Sequence, residues 1–373
     1  VIDEERLVSL FKTLCLIDAP ALAEADSVAY VRNHLENLGL EVWEDQASAM
    51  IGGNANNLIA RLPANREGIP RTFLSAHFDT VEPTSGLVIE EVDGVFRSAG
   101  NTILGADDKG GMAPAIEAVQ ALMESGEPHG DVYLLFSVAE EIGLKGAAAL
   151  DLQSLNLDFG FVLDTGPPVG TFVTRTATHD RLDVTILGKP AHSGKDPEKG
   201  INAIQVAARA IEGMILGRID PETTANLGII EGGTATNVVC PFVRLRGEAR
   251  STSTEKLDAQ IDHMIQCFES AAREFGAKVE IEHDRHYGSY QLDDSSPVVK
   301  VAQRASANLG FAGTLRTTLG GSDANIYNAK GVPTIVLGTG MDKIHTHEEH
   351  VSRKDLVDTA RLSYEILREV ANS

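Results

Sequence analysis

Four stretches of this chain are apolar almost without interruption: RTFLSAHFD (71–79), DVYLLFSVAEE (131–141), DFGFVLDTG (158–166) and GVPTIVLGTG (331–340). A strand with one face in water alternates apolar and polar residues, whereas an unbroken run must be covered on both faces. Helical apolar spacing lies between these runs, in ERLVSLFKTLCLI, in SVAYVRNHLENLGL and over 110–123, where Met112, Ile116, Val119 and Met123 share a face. SSPVVKVAQRASANLG has a proline near its first turn, and SRKDLVDTARLSYEILREV opens on Ser352 with Asp355 three residues on, a capping-box spacing. The class is α/β, a mixed sheet covered by helices.

The pattern changes after Thr174. RLDVTILGK alternates, a helix follows (INAIQVAARAIEGM), then TANLGII and FVRLRGEARS, a second helix (TEKLDAQIDHMIQCFESAAREFG) and KVEIEHD. Strand-helix-strand-strand-helix-strand is the order of a ferredoxin-like α+β unit. We place it as an insertion at 175–290, leaving a discontinuous main domain at 1–174 and 291–373.

The 373 residues carry 32 basic and 54 acidic side chains, a formal charge of -22. This argues against sequence-independent binding to nucleic acid or to an anionic membrane, both of which need basic surface. Cys15, Cys240 and Cys267 are scattered and odd in number, so neither a disulfide framework nor a zinc knuckle is expected. VIDEERLVSL has no basic segment followed by an apolar one, and the expectation is a cytoplasmic protein.

The apolar runs end in chemistry. His77 and Asp79 close the first, Glu140 and Glu141 the second, Asp164 lies in the third, and the fourth leads to His345. LGADDKGG adds Asp107 and Asp108 at the start of a helix. Ligands bind at the carboxyl ends of strands in open α/β sheets. Two imidazoles with several carboxylates and no thiolate suit zinc, cobalt or manganese. Paired ions need a shared anion, which the ADD turn can supply, and a general base to take a proton from water. Adjacent residues on extended backbone point opposite ways, so Glu140 and Glu141 can differ in role.

Each feature also has an ordinary explanation: a hydrogen-bonded strand end for His77 and Asp79, a solvated charge pair for Glu140 and Glu141, a tight loop for GGSDANI. His34, His129, His263 and His283 read as surface residues. The polar ends gain weight together, because an unpaired carboxylate closing an apolar strand is costly to bury.

SAHFDTV, LGADDKGG, AEEIGLKGA, LDTG, PAHSGKDPEKG, GGTATNVV, GGSDANI and IHTHEEHV together resemble the co-catalytic di-zinc exopeptidase family of peptidase T, glutamate carboxypeptidase, desuccinylase and aminoacylases. The likeness covers nearly the whole chain and is strongest to peptidase T-like proteins. It implies two divalent ions per subunit, with His77 and Asp164 on one, Glu141 and His345 on the other, and Asp107 bridging. Motif position selects His345 over His347. The resemblance further implies Asp79 fixing the His77 tautomer, Glu140 as general base and His192 stabilising the oxyanion. Asn237 and Arg250 would hold substrate, and Gly321 would let it approach closely. The inserted domain becomes a lid and a site of homodimerisation. The expected activity is hydrolysis of short peptides by a metal-bridging hydroxide. The rival readings are an N-acyl amino-acid deacylase on the same scaffold and a non-catalytic metal-binding protein.

Overall fold

The near-continuous apolar runs are the inner strands of an eight-stranded mixed sheet. Its order is Glu41–Glu44, Leu58–Leu62, Val132–Ser137, Thr72–His77, Phe159–Thr165, Thr334–Gly338, Thr171–Arg175, Thr314–Thr317. The four runs lie side by side and mutually parallel, with antiparallel neighbours outside them. This computed structural model describes residues 1–373.

Period-two geometry sorts each run between two cores. Leu74, Ala76, Leu134, Phe136, Phe161, Leu163, Ile335 and Leu337 face one, packed with residues of helices Glu4–Leu16, Ala106–Ser125, Pro297–Leu309 and Arg353–Ala371. Phe73, Tyr133, Leu135, Val162 and Val336 face the other, against Ala147, Leu150, Ala324 and Tyr327. Each large side chain so buried contributes roughly 1.5–3 kcal/mol, which fixes the register of the strands and the place where they end.

The chain divides into two units: Val1–Thr174 with Tyr290–Thr317 and Ser322–Ser373, and Arg175–Ser289 with Thr318–Gly321. The second holds a five-stranded antiparallel sheet, ordered Gly217–Asp220, Thr223–Gly232, Phe242–Ser251, Thr178–Leu187, Lys278–Tyr287. Helices Ala203–Glu212 and Thr254–Phe275 share its core through Val206, Ile261, Met264 and Phe268. Without the edge strand Gly217–Asp220, this is the ferredoxin-like arrangement.

Two local expectations need correction. Ser352 does cap the last helix, its Oγ accepting the Asp355 N–H at 2.9 Å, but its hydroxyl donates to the Asp355 carboxylate at 2.6 Å, so the reciprocal half of a capping box does not form. That reciprocal pair forms instead between Ser322 and Asn325 in GGSDANI. His129 is buried, with its Nδ1 on the Gly130 carbonyl at 2.8 Å. No helix is long and apolar enough to cross a membrane.

Candidate metal centre

The parallel strands all end on one side of the sheet, and their polar ends converge there. His77, the last residue of its strand, is buried with Nε2 3.1 Å from Asp107 Oδ1 and 4.0 Å from Asp164 Oδ1. The other oxygen of Asp107 lies 3.0 Å from His345 Nε2, which is also 2.9 Å from Glu141 Oε1. Ligand atoms lie within 4.8 Å of one another in three groups: His77, Asp107 and Asp164; Asp107, Glu141 and His345; and His77, Glu140 and Glu141. The first two share Asp107, whose carboxylate stands between the imidazoles.

Backbone groups hold this arrangement. The Asp79 carboxylate accepts the N–H groups of Glu140 and Glu141 at 2.9 and 3.0 Å. His77 Nδ1 is 2.9 Å from the Asp79 carbonyl and 3.4 Å from its carboxylate, so the tautomer is set by the backbone oxygen first and the carboxylate chiefly anchors the glutamates. Asp108 accepts the His77 N–H at 3.2 Å, and buried Lys109 donates to the Phe78 carbonyl.

The charges crowd. Burial, and then Asp108 and Asp107, push the Asp164 carboxyl well above the ordinary range, and burial with Asp323, Glu141 and Asp79 does the same to Glu140. Burial opposes a charge on His77, yet Glu140, Asp107 and Asp79 raise it well above an ordinary histidine. Hydrogen bonds to Asp107 and Glu141 raise His345 to about 10. Against its own burial, Asp107 is held low by His345 and His77. The fold thus gathers more negative charge than it keeps ionised without added cations. Nitrogen and oxygen donors of this kind suit divalent ions.

The remaining expected residues belong to the second unit. His192 is exposed; its Nδ1 accepts the Gly194 N–H at 3.1 Å. Asn237 is exposed beside it, its carbonyl accepting the Ser193 N–H at 3.0 Å. Arg250 is already engaged: Nε and Nη2 donate to the two Glu248 oxygens at 3.0 and 3.1 Å. Gly321 faces the Tyr287 ring, where an added Cβ would lie 2.2 Å from Cζ, so the glycine has a packing reason of its own.

The model of peptidase family M20/M25/M40 matches residues 73–369. The chain belongs to this family. Aminopeptidase PepT from Bacillus cereus ATCC 10987 is 42% identical, with 99% of each chain covered and a TM-score of 0.89. A tripeptidase from Staphylococcus aureus subsp. aureus Mu50 is 39% identical over 100% of both chains, with a TM-score of 0.94. YqjE of Bacillus subtilis (strain 168) is 39% identical over the full length of both. The motif resemblance to peptidase T-like members of the M20/M25/M40 family is thereby met.

Within this M20/M25/M40 chain, sequence reading passed over three buried carboxylates around the centre. Glu349 accepts the N–H groups of Gly105 and Asp107 at 2.7 and 2.8 Å, Asp323 accepts the Ser137 hydroxyl, and Glu24 accepts the Ala139 N–H at 2.9 Å. Glu349 and Asp323 sat inside quoted motifs, beside residues with more obvious chemistry. Glu24 lies in no motif, and only the fold reveals it.

Proposed function

We propose that this M20/M25/M40 peptidase is a di-metal aminopeptidase acting on short peptides, tripeptides foremost. The observation that carries the reading is Asp107, shared by two donor groups beside Glu140 at the carboxyl ends of parallel strands. The names of two similar structures, aminopeptidase PepT and a tripeptidase, support the substrate class.

In this reading His77 and Asp164 would hold one ion, Glu141 and His345 the other, and Asp107 would serve both. Zinc is the first expectation, and cobalt or manganese suits the same donors. Bound ions of this type lower the pKa of water and polarise a carbonyl. Glu140 takes the proton of the attacking water and returns it to the leaving amine, the exchange expected of a general base. His192 accepts an N–H on Nδ1, so its neutral form carries the proton on Nε2 and can donate to the oxyanion. Asn237 binds a substrate carbonyl. Arg250 binds the C-terminal carboxylate by sharing donors now directed to Glu248. A cytoplasmic location and a homodimer through the second unit belong to the same proposal.

The test is a panel of dipeptides, tripeptides and N-acetyl amino acids, assayed with zinc, after chelation, and with Glu140→Gln. Tripeptide cleavage that disappears on chelation and falls at least roughly 100-fold in the variant is expected. Cleavage confined to N-acetyl amino acids would make it a deacylase; stoichiometric metal without any turnover would make it a binding protein.

A further inference from the structure

The segment after strand Val132–Ser137 has an unusual set of anchors. The Val138 N–H goes to Asn57 Oδ1 at 3.1 Å, that of Ala139 to Glu24 Oε1 at 2.9 Å, and those of Glu140 and Glu141 to Asp79. Consecutive N–H groups are therefore received by side chains from other elements, and no strand partner or helix turn directs them. Ala139 sits at the centre with φ +53°, in the left-handed region. A residue with a Cβ adopts that region at a cost and needs its surroundings to hold it there.

Glu24 immediately precedes helix Ala25–Asn37 and is 1% exposed. Its Oε1 also accepts the Leu22 N–H at 3.1 Å, whereas Oε2 is buried with no hydrogen-bond partner. Burying a carboxylate so incompletely satisfied is unfavourable for stability alone. Its one engaged oxygen is spent on two backbone groups, one of them in the residue before Glu140.

We propose that Glu24 is a positioning residue for Glu140: through the Ala139 N–H it holds the left-handed turn that aims the Glu140 carboxylate. The inference rests on Glu140 being the general base. Because a single oxygen acts, the role is that of an acceptor rather than a charge, and glutamine can fill it.

The experiment uses the zinc-loaded full chain with trialanine as probe, and follows amide hydrogen exchange over 138–141 by mass spectrometry. Glu24→Ala is expected to lower kcat by roughly 10- to 100-fold with KM within about threefold, as misplacement of a reacting group does, and to speed exchange at Ala139–Glu141 while zinc content stays at the wild-type level. Glu24→Gln should restore both readouts most of the way. Ala139→Gly added to Glu24→Ala should recover part of the lost kcat, since glycine takes the left-handed region freely. Wild-type exchange in Glu24→Ala would overturn the proposal, as would loss of zinc, or a Glu24→Gln variant as impaired as the alanine one. Should Glu24→Ala fail to fold, the glutamine variant and Ala139→Val decide it: the β-branched residue, poorly tolerated at positive φ, must lower kcat while Glu24→Gln does not. Glu140→Gln separates the two readings. If it stays active the base assignment fails, while altered exchange in Glu24→Ala would still establish the anchor.

Discussion

Glu349 accepts the backbone N–H of Asp107 at 2.8 Å. The loop that carries His345 thereby holds the residue whose carboxylate stands between both imidazoles, and the Gly105 N–H on the second Glu349 oxygen makes the grip two-handed. Glu349→Ala leaves two buried N–H groups without acceptors and should cost roughly 2–4 kcal/mol. Urea unfolding of the metal-free protein measures it. Glu349→Gln, which keeps one acceptor, should lose about half as much, and an alanine variant as stable as wild type would contradict the assignment.

The adjacent glycines of LGADDKGG separate cleanly. A Cβ at Gly111 would lie 2.0 Å from the Leu163 carbonyl oxygen and 2.4 Å from Asp108 Oδ1, whereas at Gly110 the nearest atom is 3.9 Å away. Gly111 lets the helix approach the strand that delivers Asp164. Gly111→Ala should cost at least about 3 kcal/mol, and Gly110→Ala should stay within about 1 kcal/mol of wild type, helped by helix propensity. Thermal unfolding of the two variants gives the comparison; equal losses would refute it.

Glu248 supplies a pH test far in sequence from the candidate metal centre. The His179 imidazole, 2.9 Å away, and then Arg250 hold its carboxyl down to about 2, against burial. A carboxylate with a depressed folded pKa stabilises above its ordinary value, and the contribution fades as pH falls from 4.5 through about 2. The pair is partly exposed, so about 1 kcal/mol is expected after allowing for screening. The difference in urea midpoint between wild type and Glu248→Gln should be full at pH 7 and shrink on acidification below pH 4.5. A difference that grows toward acid would have the wrong sign.

Arg250→Met should raise KM for trialanine by roughly 10-fold or more, the loss of a charge-assisted fork, while leaving trialanine amide little affected. Equal effects on acid and amide would remove Arg250 from carboxylate recognition.

The strands and their buried faces were legible because an unbroken apolar run has one economical solution, a sheet covered on both sides. His77, Glu141, Asp164 and His345 were legible because polar residues closing such runs must gather at one edge. What the sequence did not show is how backbone donors are satisfied. Asp79 reads as a partner of His77, yet its carboxylate mainly receives Glu140 and Glu141. Nothing in the sequence marks Glu24 or Glu349 as an anchor, because their targets are N–H groups, which every residue carries. The short hairpin Ile89–Val92 and Val95–Ser98 was missed because its strands are too brief and exposed to show a period.

Whether two ions share Asp107 can be read from anomalous diffraction by crystals of the zinc-loaded protein. Two peaks per chain are expected, one bounded by His77 and Asp164, the other by Glu141 and His345, with a separate Asp107 oxygen on each. A single peak, or peaks that leave Asp107 without an ion, would contradict it.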